Sequence, residues 1–280
     1  MSIISHKIAC LAAAAEKSPE YAGIVPLFIE LFRYIEREGH ATGITFRVPH
    51  DKLPEKVQGG FPLLSPDDLT VDAAVCGRFL HGALDVLKQT GKAGDEALDA
   101  ITAALESGQL ELPALFRSIL ERNRAVIDDV SSMIGVPAPL MEYVCEIPLK
   151  AALEQFAAGI QPEECDAWQE GYCPVCGSRA GMAELSGEEG KRHLCCSACS
   201  FRWSFKRLQC PFCGNEDSEK LAYFVAGDGP TRVDSCKVCS RYIKTRDSRK
   251  GNADVPLDVE DLLTMHLDLL AAREGLERGK

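Results

Sequence analysis

Four Cys-x-x-Cys pairs fall within 67 residues of this 280-residue chain, and they restrict its fold more than any other feature. They are Cys173/Cys176 in CPVCGS, Cys196/Cys199 in CSACS, Cys210/Cys213 in CPFCGN and Cys236/Cys239 in CKVCS. Two residues between cysteines let one tight turn point both sulfurs at a single tetrahedral ion. Gly177 and Gly214, each directly after a pair, can take the positive φ that turns the chain away from the metal. Nineteen residues separate Cys176 from Cys196 and 22 separate Cys213 from Cys236, at or slightly beyond the span over which two knuckles close one site across a hairpin. The spacing therefore predicts two sequential sites: Cys173, Cys176, Cys196 and Cys199, then Cys210, Cys213, Cys236 and Cys239. Crossed pairing between the halves is the competing arrangement. Only ten residues separate Cys199 from Cys210, so the halves sit close together in either case.

Cys195 lies beside Cys196 and could replace it in a C-x3-C variant with Cys199. Cys196 restores the two-residue spacing of the other knuckles, which leaves Cys195 as a core-facing residue or an accessible thiol beside a metal. Cys10, Cys76, Cys145 and Cys165 fall on helical patterns or their ends, where cysteine serves as a small core residue. The total of 13 is odd, and eight are in knuckles, which fits metal binding in a reducing compartment better than a disulfide framework. His193 is near a knuckle, but complete four-cysteine sets make it unnecessary. His6, His40, His50, His81 and His266 are scattered without HExxH-like spacing. There is no phosphate-cradling glycine loop, no GxSxG elbow and no triad pattern, so a binding or assembly protein is expected and not an enzyme.

The formal charge of -11 disfavours nucleic acid and acidic membranes on average, but it is unevenly spread. Residues 171–250 hold 14 Lys and Arg against 9 Asp and Glu, a formal +5, which leaves -16 on the remainder. A divalent ion with four thiolates adds about -2, so two loaded sites return the segment to roughly +1. Its basicity is then counter-charge for thiolates. Trp203, Phe205, Tyr223 and Tyr242 with nearby basic residues offer a little of what a zinc-ribbon nucleic-acid module needs, yet a nearly neutral segment argues against nucleic acid. Arg202, Lys206 and Arg207 form by default a solvated edge-strand face, and are the best candidate surface for an acidic partner. No apolar run reaches about 18 residues, and the run in MSIISHKIACLAAAAEKSPE ends early at Glu16 and Lys17, so neither membrane insertion nor secretion is expected. The chain reads as cytoplasmic.

Through about residue 168 the pattern is helical. Leu27, Leu31, Tyr34 and Ile35 share a face of a helix over 24–38, with Pro26 in its first turn and Gly39 at its end. Residues 40–64, rich in Gly and Pro, read as an extended loop. Ser65-Pro66-Asp67-Asp68 supplies a cap and first turn for a helix continuing through Leu87, and further helices are expected over 94–107, 112–134 and 138–159, the last bent at Pro148. At Glu170-Gly171 the composition changes to Cys, Gly, Pro and short β-prone runs. After 251 a linker leads to a C-terminal helix through Leu262, Met265 and Leu269.

Three ordered segments carry a family resemblance: GYCPVCGSRA, then EGKRHLCCSACSFRWSFKRLQCPFCGN, then RVDSCKVCSRYIK. Residues 171–250 resemble the formate dehydrogenase accessory protein FdhE family, and PLDVEDLLTMHLDLLAAREGLERG stands where that family ends. The resemblance implies an α+β chain: an all-α helical domain (1–168), two tandem rubredoxin-like or zinc-ribbon-like four-cysteine metal modules (169–206 and 207–250), and a linker with C-terminal helix (251–280). It implies a cytoplasmic, non-catalytic factor that matures respiratory formate dehydrogenase. Its partner is then that enzyme's catalytic subunit, which carries a molybdenum or tungsten cofactor and an iron–sulfur cluster and is exported folded. Homo-oligomerisation is compatible with this reading. Each four-cysteine set would hold one metal ion, Fe or Zn, since both accept tetrahedral thiolates. The rival functions are a zinc-ribbon nucleic-acid module and a rubredoxin-like electron carrier, the latter needing redox-active iron.

Overall fold

The computed structural model describes residues 2–17, 21–48, 50–91 and 95–279. Ahead of the first knuckle come α1 (Ile3–Lys17), α2 (Val25–Glu38), α3 (Leu53–Gln58), α4 (Ala73–Thr90), α5 (Asp95–Glu106), α6 (Leu112–Glu121), α7 (Arg124–Ile134) and α8 (Ala138–Ala157). A small ribbon, β1 (Ile44–Phe46) antiparallel to β2 (Leu69–Val71), is interleaved with them.

One compact unit comprises Met1–Val48 and Leu64–Phe156. Its core is built from the apolar stripes of its helices: Leu31 and Tyr34 of α2, Phe79, Leu80 and Leu84 of α4, Phe116 of α6, and Met141 and Leu153 of α8 are all buried. Tyr34 donates a 2.7 Å hydrogen bond to the Phe79 carbonyl while its ring lies 5.1 Å from that of Phe79. Gly82 makes room for this phenol, since a Cβ there would stand 2.5 Å from the Tyr34 oxygen. The helix expected from Ser65 starts later. Ser65 and Asp68 cap each other around a single 3-10 turn, and Leu69–Val71 extends as β2 because β-prone Leu-Thr-Val finds a partner strand in Ile44–Phe46. Asp72 is the true cap of α4, its carboxylate accepting from the N–H groups of Ala74 and Val75. The expected 112–134 helix is two, broken where Arg122 adopts φ 57. By contrast α8 continues through Pro148.

The other unit comprises Pro49–Leu63 and Ala157–Lys280. The expected loop at 40–64 thus contains β1 and α3, and its later part is tied to the first knuckle: the Leu63 N–H donates to the Pro174 carbonyl at 2.8 Å, and the Tyr172 hydroxyl donates to Gly60 O at 2.8 Å. Seven strands form one sheet: β3 (Ala180–Ser186), β4 (Lys191–Cys196), β5 (Arg202–Ser204), β6 (Leu221–Val225), β7 (Thr231–Cys236), β8 (Arg241–Asp247) and β9 (Glu277–Arg278). The order is β5-β4-β3-β8-β7-β6, with β9 beside β8. Within each module the strands are antiparallel; the seam between modules is the parallel pair β3 and β8, with Glu184 opposite Arg246. Both residues are buried, and the Arg246 guanidinium meets the Glu184 carboxylate at 2.5 Å, so the seam carries a paired charge in place of a bare one.

The C-terminal helix is two short ones, α9 (Leu257–Leu263) and α10 (Met265–Arg273), that cover one face of this sheet. Leu257 packs with Met182 and Cys195, while Leu267 and Ala271 pack with Val233 and Tyr242. Buried Lys244 reaches Asp261 at 2.7 Å and Asp268 at 2.6 Å, and Arg278 pairs with the same two carboxylates. The chain is therefore α+β, with helices first, two knuckle modules next and helices last.

Candidate metal centres

The four sulfurs of Cys173, Cys176, Cys196 and Cys199 lie within 4.8 Å of one another, as do those of Cys210, Cys213, Cys236 and Cys239. The sequential sets are thus the ones that the fold brings together, and the crossed arrangement is absent among the described residues. Across the first set Cys173 and Cys199 are 3.5 Å apart and Cys176 and Cys196 3.4 Å; across the second, Cys210 and Cys239 are 3.8 Å apart and Cys213 and Cys236 3.7 Å. A disulfide would need about 2.0 Å. Four sulfurs about 2.3 Å from a central ion stand about 3.8 Å apart, so both sets have the size and donor chemistry for one tetrahedral metal each. Iron and zinc fit such a set alike.

One backbone design is used four times. The N–H of the first cysteine donates to the carbonyl five residues on: Cys173 to Ser178 at 2.8 Å, Cys196 to Phe201 at 2.9 Å and Cys210 to Asn215 at 2.9 Å, while Cys236 pairs with Arg241. The residue after the second cysteine takes positive φ: Gly177 at 73°, Gly214 at 75°, Ser200 at 57° and Ser240 at 55°. The two glycines match the sequence-based expectation, and the two serines go beyond it. The register alone could have found them, because Ser200 and Ser240 occupy the same place in CSACS and CKVCS. Backbone N–H groups inside the turns point at sulfur, from Val175 to Cys173 and from Ala198 and Cys199 to Cys196, each at 3.4 Å. Such donors favour the thiolate.

Burial pushes the Cys173 and Cys199 thiols well above their ordinary range, while hydrogen bonds from Cys173, Cys196 and Cys199 hold Cys176 well below it. In the second set burial raises Cys210 and Cys239; it also acts on Cys236, but the N–H groups of Cys239 and Val238 outweigh it and bring that thiol down. Binding a cation in either set would displace the protons that burial favours on Cys173, Cys199, Cys210 and Cys239. The sets differ in access. All four sulfur residues of the first are buried, whereas Cys213 is exposed and Cys239 partly so.

Cys195 stands outside both sets, in the apolar cluster with Met182 and Leu257. His193 is also outside them, with Nδ1 3.1 Å from the Ser186 hydroxyl. Arg202, Lys206 and Arg207 each meet a different group. Arg202 pairs with Glu184, Lys206 with Glu216 at 2.8 Å, and Arg207 approaches the Glu189 carbonyl at 3.5 Å beside a cleft that Arg192 and Arg232 also line. Nothing in the sequence singles out Arg192, Arg232 or Lys244; a lone basic residue in a β-prone run carries no sign of what it will face. Among the described residues no helix is long and apolar enough to cross a membrane.

Comparison with known proteins gives a consistent result. Residues 172–207 match a family model described as FdhE, central domain. A protein FdhE homolog of Aquifex aeolicus is 32% identical over 158 residues, 54% of this chain and 55% of that one. Homologs from Pseudomonas putida, 31% identical over 155 residues (51% of this chain, 48% of that one), and Actinobacillus pleuropneumoniae, 30% over 191 residues (66% and 58%), behave likewise. The matched regions span about half the length of these curated relatives. The crystal structure of the FdhE protein from Pseudomonas aeruginosa has the same fold, with a TM-score of 0.69 over 99% of this chain and 92% of that one at 21% identity. The central-domain match covers the first cysteine set and the solved fold is shared over 99% of this chain, so in sequence and in fold the chain is similar to FdhE proteins.

Proposed function

We propose that this protein is an accessory factor for respiratory formate dehydrogenase, acting in the cytoplasm by docking on the catalytic subunit before export. It acts by binding and not by turnover, and each of its two four-cysteine sets holds an iron or zinc ion. The observation that carries this reading is the coincidence of the FdhE central-domain match at 172–207 with a complete, buried four-sulfur set. A metal there would make the module rigid, and a rigid surface loses little entropy when it captures a partner. Arg202, Lys206 and Arg207 belong to the contact surface in this reading.

Deleting the gene tests it. Formate-dependent dye reduction should be lost while the catalytic polypeptide remains detectable, and paired serine replacement at Cys173/Cys176 or Cys210/Cys213 should reproduce the loss. Normal formate oxidation in the deletion strain would refute the reading. One observation favours a second function: the exposure of Cys213 gives an electron a short route to the second centre, as a rubredoxin-like carrier would need. Reversible one-electron reduction of iron-loaded protein at both centres, with formate oxidation independent of the gene, would select that reading instead.

A further inference from the structure

The sheet face opposite α9 and α10 holds a cleft of about 220 Å3 beside the second cysteine set. Tyr223, Asp234 and Ile243 lie in register across β6, β7 and β8 at its floor, and the segment 207–212 walls one side. Arg192, Arg207, Arg232 and Arg241 line it, against one carboxylate, Asp234, and the sulfur residues Cys210 and Cys236 of the second set. That carboxylate is already occupied by Arg232 at 2.7 Å and the Thr245 hydroxyl at 2.8 Å. Arg192 is only 6% exposed; it gives one N–H to the Gln209 carbonyl at 2.9 Å, and its buried Nε has no partner. A buried guanidinium with an unspent donor is costly unless something completes it.

The strand beside this cleft is as unusual as its charge. β6 is the last strand of the sheet, paired only with β7 among the described residues, and its sequence Leu-Ala-Tyr-Phe-Val has no charge and no proline. Edge strands are ordinarily guarded by such residues, because a bare edge is a template for another strand. Here the exposure is large: Tyr223 and Leu208, which line the cleft, are each 63% exposed, and Val225 on the same strand is 57% exposed.

We propose that β6 and this cleft form a docking site for an extended acidic segment of a partner protein, which adds a strand to the sheet and places carboxylates among the arginines. Alternate residues of a strand face one side, so a segment alternating apolar and acidic residues satisfies the edge and the cleft together. A second copy of this chain is a poor occupant. Two-fold pairing of β6 strands would set two arginine-rich clefts side by side and oppose like charges. This inference rests on the proposed function, for which it supplies the kind of client segment recognised.

The test uses the full chain carrying two zinc ions, isotopically labelled, and a short synthetic peptide alternating valine and glutamate. Backbone amides of 221–225 should shift saturably, and affinity should fall as salt rises. Arg232→Gln should weaken binding about tenfold, as loss of a charge-assisted hydrogen bond does. Tyr223→Asp, at an exposed position whose ring centroid lies 4.4 Å from the Arg232 guanidinium, should abolish binding with metal content and circular dichroism unchanged. Equal binding of a valine–lysine peptide, shifts reproduced by acetate alone, or a dimer removed by Tyr223→Asp would each overturn the proposal. So would a Tyr223→Asp chain that captures purified formate dehydrogenase catalytic subunit with undiminished affinity, an outcome that leaves the accessory function itself intact.

Discussion

Chelation should empty the two centres one ion at a time, the second first. A chelator must reach a sulfur or its ion, and at the second centre Cys213 is exposed and Cys239 partly so, while Cys173, Cys176, Cys196 and Cys199 are all buried. The flanking residues follow the same contrast: Val175 in the first knuckle is 0% exposed, and Val238 in the fourth is 59% exposed. Release from the first centre therefore requires local opening that uncovers at least Val175. Exposing one buried valine costs about 1.5–3 kcal/mol, which makes the open form roughly ten- to a hundredfold rarer. Zinc-loaded protein mixed with excess chromogenic chelator should release two ions per chain in two phases of equal amplitude, separated by at least about tenfold in rate. Cys213→Ser should delete the fast phase and Cys176→Ser the slow one. A single phase, or loss of the slow phase in Cys213→Ser, would refute the reasoning.

Three further outcomes are expected. Gly171→Ala should lower the thermal midpoint by an amount corresponding to about 1–3 kcal/mol, read by circular dichroism, because its Cβ would stand 1.9 Å from the Pro211 carbonyl oxygen and backbone must move. Glu184 is opposed by burial, yet hydrogen bonds from Arg246 and Ser248 and the charge of Arg202 hold its carboxyl below the ordinary 4.5. Its stabilising contribution is therefore complete above 4.5 and lost as pH falls through the lower folded-state value, so the urea-midpoint gap between the native chain and Glu184→Gln should shrink on acidification below that pH. Cys195→Ser should leave metal content unchanged while Cys196→Ser loses about one ion, measured by elemental analysis, because only Cys196 belongs to a four-sulfur set.

The parts of this molecule that were legible in its sequence are those set by local chemistry. A Cys-x-x-Cys turn is decided within six residues, so the knuckles, their sequential grouping and the roles of Gly177 and Gly214 could be read directly. The helix α2 was equally plain, since its stripe, first-turn proline and terminal glycine agree. What escaped depends on partners distant in the chain. Ser65 and Pro66 form a good helix start, but Leu69–Val71 was taken by a strand 25 residues earlier. Likewise, nothing near Lys244 announces that Asp261 and Asp268 will surround it, or that α9 and α10 will therefore cover the sheet. The parallel pairing of β3 with β8 joins residues about 60 positions apart, with no local turn signal to mark it.

That parallel seam also separates the work of the two centres. Cys196 ends β4, an inner strand of the sheet, and the first knuckle is fastened by Tyr172 to Gly60 and by Leu63 to Pro174. The first centre thus holds segments that are remote in sequence, and losing its ion would free several contacts at once. Cys236 ends β7, beside the unguarded β6 edge, and the arginine-lined cleft opens next to it. An ion there would fix the turns on which the cleft wall from Arg207 to Phe212 is hung. The duplicated motif therefore yields two different parts: a buried four-sulfur set joined to the 60–63 segment, and a more accessible set beside the cleft, whose metal, once bound, would fix the cleft wall.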